Sequence, residues 1–165
     1  MENNGRNLEN FFKETSLGSI MRTNVITIKQ DDDFSLAEER FIKNRINHLI
    51  VLDREDKLIG VLSQKYLYKT QSPRKIFGEE LDYDPRLIID GDSFYDKDTL
   101  NSYLLHNAMN KDPFILSPDD FLLTAILEMS NRNISCIPIV DEQRFVKGVI
   151  FLQDILNLIA LLVTK

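Results

Sequence analysis

Cysteine is almost absent: Cys136 is the single one in 165 residues, so no disulfide can close within the chain. Nothing at the start resembles a secretory n-region followed by an apolar h-region, and a cytoplasmic location is the expectation. Histidine is scarce as well. His48 and His106 sit in no ligand spacing, and there is no second cysteine to share a metal. Six glycines cannot assemble a Gly-rich phosphate cradle, and neither a Walker loop nor a Gly-x-Ser-x-Gly elbow occurs. The carboxylates are many, but they cluster in turns and helix starts, where solvated or capping roles are usual. No catalytic residue, required cofactor or metal is therefore expected. The longest apolar run, from Ile155 to Val163, is nine residues broken by Asn157. Roughly 20 are needed to cross a bilayer, so no membrane span is expected. Clustered Lys and Arg are lacking too, and a formal charge of −6 argues against a nucleic-acid surface. A small anion is not excluded, because a few local cations outweigh a distant net field.

What the chain does have is a duplication. Compared with itself at a constant shift of 88 residues, Met21 falls on Met109, Ala37 on Ala125 and Ile46 on Ile134. Asp53 falls on Asp141, Gly60 on Gly148 and Val61 on Val149, with no gap between the anchors. Apolar class agrees between them, as in Leu49 with Ile137 and Leu62 with Ile150.

Each copy reads as β-α-β-β-α. Residues 25–28 (VITI) and 113–116 (PFIL) suit a brief first strand. Acidic or capping residues follow at 31–33 and 117–120, where a helix start favours them. Phe34, Ala37 and Phe41 then recur at helical spacing, as do Leu122, Ala125, Ile126 and Met129. Residues 48–52 (HLIVL) and 136–140 (CIPIV) are short and β-branched, hence strands. Polar turns at 53–57 and 141–144 lead to third strands at 58–62 and 146–151, and a final helix closes each copy. Outside the copies, Leu8, Phe11 and Phe12 suit a short amphipathic N-terminal helix. In the linker, 81–95 is rich in Asp, Gly and Pro and reads as loop, and 98–107 reads as helix.

These residues resemble the cystathionine-β-synthase (CBS) domain. Residues 45–53 (RINHLIVLD) with 58–63 (LIGVLS) resemble one CBS repeat, and 133–141 (NISCIPIVD) with 147–154 (KGVIFLQD) a second. The resemblance implies an α+β fold in which two repeats pack as a pseudo-two-fold pair. The corresponding division is an extension at 1–17, repeat 1 at 18–69, a linker at 70–105 and repeat 2 at 106–165. It further implies a non-catalytic regulatory module that binds an adenosine-containing nucleotide (AMP, ADP or ATP) in the cleft between its repeats and signals to an unidentified partner protein. The alternative is a ligand-free scaffold for dimerisation or protein interaction.

In such modules ligands resemble those held by Gly-x-x-(Ser/Thr)-x-x-Asp at the end of the third strand. The hydroxyl and helix start favour phosphate, and the carboxylate accepts from ribose hydroxyls. Here the motif is split. Residues 60–66 keep Ser63 but place Tyr66 at the acid position, whereas 148–154 keep Asp154 but place Phe151 at the hydroxyl position. A first-copy site would then use Ser63 and Lys65 toward phosphate, with Asn24, Val25, Asn47 and His48 around base and sugar. A second-copy site would use Asp154 on the ribose, with Phe114, Ser135, Cys136, Pro138 and Phe151 as walls. Plainer roles stand beside these. Asp154 and Ser63 suit helix caps, Phe151 and Cys136 suit core positions, and His48 suits a satisfied strand end. The last helix is more apolar than one repeat core can cover, so a homodimer through Ile155 to Val163 is expected.

Overall fold

The computed structural model describes residues 9–65, 87–90, 93–96 and 108–164, the segments at 87–90 and 93–96 by their backbone alone. The chain divides into two compact units. Residues 26–55 and 59–112 form an N-repeat unit; residues 1–25, 56–58 and 113–165 form a C-repeat unit.

In the N-repeat unit, β1 (Thr27–Lys29) lies parallel to β2 (His48–Leu52), with Ile28 opposite Val51, and β3 (Leu58–Ser63) borders β2 on the other side. Helix α1 (Phe34–Asn44) connects β1 to β2. Its apolar stripe of Phe34, Ala37 and Phe41 is buried against Ile28, Leu49, Val51 and Leu62. Burial of each large side chain contributes about 1.5–3 kcal/mol. Ala108 and Met109, from the start of the second repeat, complete this core.

The C-repeat unit repeats the plan. Helix α2 (Leu122–Arg132) precedes β6 (Cys136–Val140), which pairs antiparallel with β7 (Val146–Phe151). Helix α3 (Leu152–Val163) follows β7 directly. The core gathers Leu17, Leu122, Ala125, Met129, Ile137, Ile139, Ile150 and Ile155. Six of these occupy positions 88 residues beyond core members of the N-repeat unit, such as Ala125 beyond Ala37. Here Ile20 and Met21, from the start of the first repeat, pack against the core. Residues 9–14 are helical, and Phe11 and Phe12 lie on the same core with their rings edge to face. The carbonyl of Thr15 accepts the Leu122 N–H, tying this segment to the start of α2.

The duplication extends to single hydrogen bonds. Each first helix ends on a left-handed residue, Arg45 (φ 51) and Asn133 (φ 53), and each strand turn carries another, Asp56 (φ 67) and Arg144 (φ 70). The Oδ2 of Asp32 accepts the Lys29 N–H, and that of Asp120 accepts the Ser117 N–H. These acids close the turn ahead of each helix; the residues at the cap positions, Asp33 and Phe121, make no side-chain cap bond.

Two local readings change. The strand expected at 113–116 shrinks to Leu116, bridged in parallel to Ile139, because Pro113 and Pro118 flank it without backbone donors. Part of the linker expected as loop is a hairpin, in which β4 (Leu87–Asp90) pairs antiparallel with β5 (Ser93–Asp96). Its signal was present in the sequence, since Gly91 and Asp92 separate a β-branched run from an aromatic one. The helix expected at 98–107 and the tyrosines Tyr66 and Tyr68 lie outside the described residues.

Candidate ligand-binding site

Strand β7 delivers Phe151 to the start of α3, and the carboxylate of Asp154 turns back to accept the Phe151 N–H at 3.3 Å. A second partner comes from far away in sequence. Arg22 bridges Val149 through its own N–H and carbonyl, both at 3.0 Å, which holds its Cα beside β7. From there its Nε reaches both carboxylate oxygens of Asp154 at 2.9 Å, and its Nη2 donates to Oδ1. The guanidinium carbon also sits 5.4 Å from the centre of the Phe151 ring. The Asp154 side chain is only 20% exposed and that of Arg22 is 52% exposed, so the arginine is the partner free to move.

Why the segment reaches β7 at this point is visible in Gly148. A Cβ there would lie 2.5 Å from the Sδ of Met21 and 3.0 Å from the Arg22 carbonyl oxygen. Only glycine admits so close an approach. The N-repeat unit contains the same notch, where a Cβ on Gly60 would lie 2.6 Å from the Met109 Sδ and 2.8 Å from the Asn110 carbonyl oxygen. Beside the Arg22–Asp154 pair opens a cleft of ≈ 290 Å³. Its lining is apolar, from Ile20, Ile150, Ile155, Leu158 and Leu161, with Asn157 as a further polar group.

Most of the second-copy candidates form one connected group. The Ser135 carbonyl accepts the Leu152 N–H, and Cys136 stands opposite Phe151 across the β6–β7 ladder. Burial pushes the Cys136 thiol up to about 12, so it is protonated at neutral pH and behaves as an apolar residue. Pro138 is buried opposite Val149. Phe114 lies beneath a different cation, with the Arg132 guanidinium carbon 4.4 Å from its ring centre. Phe151 likewise faces the Arg22 guanidinium. Of these six candidates, Asp154 alone lines the cleft.

The first-copy candidates divide between the units. Asn24 and Val25 belong to the C-repeat unit, whereas Asn47, His48, Ser63 and Lys65 belong to the N-repeat unit. Within the latter, Asn47 accepts the Gln64 N–H through its carbonyl, Ser63 ends β3 and Lys65 is exposed. Burial lowers the pKa of His48, which favours the neutral imidazole. Sequence reasoning missed Arg22. It follows the shared methionine, where the other copy has Asn110, but nothing local to it points to Asp154. Among the described residues no group of three His, Cys, Asp or Glu could hold a metal ion, and no helix is long and apolar enough to cross a membrane.

Comparison with known proteins agrees with this architecture. The family model described as CBS domain matches twice, over residues 17–72 and 105–161. A curated relative, homoserine O-acetyltransferase of Methanococcus vannielii, is 23% identical over 154 residues, covering 93% of this chain and 27% of that protein. The chain thus spans about a quarter of the length of the curated relatives it matches. The CBS domain pair of protein MJ0100, crystallised with 5′-methylthioadenosine and S-adenosyl-L-methionine, superposes with a TM-score of 0.67 at 23% identity, over 88% of this chain and 96% of that one. The protein CBSX2 in complex with AMP gives 0.66 at 16% identity, over 92% and 100% of the two chains. These likenesses show the fold.

Proposed function

The chain belongs to the CBS domain family, and on that premise we propose that it is a non-catalytic regulatory module that binds an adenosine-containing nucleotide and passes the signal to a partner protein. The observation that carries the reading is Asp154. Its carboxylate is sheltered and presented at the first turn of α3, oriented by the Phe151 N–H. An ionised carboxylate so placed accepts hydrogen bonds from two ribose hydroxyls. Phe151, Ser135 and Cys136 supply the neighbouring wall, with Phe114 and Pro138 beyond them. In the N-repeat unit, Ser63 and Lys65 offer a hydroxyl and an ammonium for phosphate beside Asn47 and His48.

A second reading has its own observation. Helix α3 leaves Leu152, Leu156 and Val163 exposed along one face, a stripe that suits a second copy of the chain and hence a homodimer through this helix. One experiment separates nucleotide sensing from a ligand-free scaffold. Thermal unfolding is followed with AMP, ADP, ATP, 5′-methylthioadenosine and S-adenosylmethionine, for the wild type and Asp154→Ala. A ligand at a hundred times its dissociation constant adds about 2.7 kcal/mol to the folded state, a midpoint rise of about 5 °C or more. A rise that disappears in Asp154→Ala is expected. No rise with any compound, from a protein that sediments as a dimer, leaves the scaffold reading in its place.

A further inference from the structure

The carboxylate expected to hold a ribose is already engaged. An ionised carboxylate offers about four acceptor positions. Arg22 directs Nε and Nη2 onto the Asp154 oxygens, and the Phe151 N–H takes a further position. Two ribose hydroxyls cannot both donate there until the guanidinium withdraws. The equivalent residue in the N-repeat unit is Asn110, whose Oδ1 accepts the Asp112 N–H at 3.1 Å.

We propose that Arg22 is a displaceable internal occupant of the Asp154 site, and that it makes this site select an adenosine ligand with an anionic 5′ group over one with a neutral or sulfonium 5′ group. The inference rests on the ribose reading of Asp154 given above. Arg22 can leave without disturbing the fold, because its backbone stays bridged to Val149 while its side chain is half exposed. Once off Asp154, the guanidinium lacks a counter-ion. A phosphate supplies one in the fork geometry that guanidinium prefers, so the charges remain paired after exchange. A neutral 5′ group offers nothing in return, and in S-adenosylmethionine the sulfonium at C5′ adds a second cation beside the first, the carboxylate lying further out along the methionyl chain.

The test is calorimetric titration of the full chain with AMP, adenosine and S-adenosylmethionine, for the wild type, Arg22→Ala, Arg22→Lys and Asp154→Ala. The wild type is expected to bind AMP more tightly than adenosine or S-adenosylmethionine. In Arg22→Ala, adenosine tightens by about fivefold as its competitor is removed, the scale of a solvated ion pair. AMP loses its phosphate partner in the same variant and weakens, so the preference between the two closes. Arg22→Lys keeps the charge without the fork and retains part of the preference. The selectivity role is overturned if wild type and Arg22→Ala both bind with the same AMP-to-adenosine ratio, or if the wild type favours adenosine. Failure of wild type and Arg22→Ala to bind any of the three compounds instead removes the nucleotide reading, and this inference with it. Undiminished binding by Asp154→Ala removes the ribose assignment.

Discussion

Arg22 and Asn110 stand at the same place in the two units, each following a methionine seated on a glycine and each bridged to a valine of a third strand. The backbone path is common to both. The side chains are not: one crosses to Asp154 and lies over Phe151, whereas the other folds back on its own turn through Asp112. The divergence teaches where the duplicated chain has held still. Helix ends, turns, core stripe and methionine notch are the parts on which each unit's stability depends, and they are retained in both copies. The two copies differ from the end of the third strand onward, and the motif split between Ser63 and Asp154 lies there.

The strongest challenge to the equivalence is to fill the two notches. Gly60→Ala and Gly148→Ala should each destabilise by about 1–3 kcal/mol, read from urea midpoints, since a methyl group enters filled space. Gly60→Ala should cost more, because its nearest backbone atom is the Asn110 oxygen at 2.8 Å, against 3.0 Å to that of Arg22 for Gly148. The methionine side chains can move aside; the carbonyls cannot. A notch that tolerates alanine at no cost would end the equivalence.

A smaller contrast sits at the helix ends. Arg45 and Asn133 adopt nearly the same left-handed conformation, with φ 51 and 53. Arginine bears the full Cβ penalty there, and asparagine is better tolerated. Arg45→Gly should therefore stabilise by up to about 1 kcal/mol, and Asn133→Gly by less than about half of that. Equal gains in thermal or urea unfolding would show that the two ends differ in some other respect.

The least of the three effects concerns pH. Burial lowers the pKa of His48, which begins β2 where the other copy has Cys136 at the start of β6. Below about pH 6.5 the unfolded chain binds a proton that folded His48 resists. Stability from this residue is thus present above that pH and lost as the solution is acidified through it. Unfolding midpoints for wild type and His48→Gln, compared between neutral and mildly acidic pH, should show a shallower decline in the variant. Parallel declines would remove His48 as the cause.

Much of this was legible in residues alone, for an identifiable reason. Helices α1 and α2 announce themselves through Phe34, Ala37 and Phe41, and through Leu122, Ala125 and Met129, because helical burial has a period that short windows reveal. Strands β2 and β6 are continuous apolar runs. The hairpin at Leu87–Asp90 and Ser93–Asp96 was hidden by the Asp, Gly and Pro around it, although Gly91 and Asp92 carried its turn signal. Of the site, Asp154 was visible from its motif position. Arg22 was not, because an ion pair between residues this far apart has no local signature.

The sequence by itself determined that two equivalent units exist, where their helices and strands run, and that Met21 and Met109, Gly60 and Gly148 are paired anchors. It could not determine which methionine meets which glycine. In the folded chain Met21 seats on Gly148 and Met109 on Gly60, so each core is completed by the first residues of the other repeat. The physical reason is that the two notches are locally alike. With equal chemistry on offer at both, the choice falls to the long-range path of the chain. That choice brings Arg22 to Asp154.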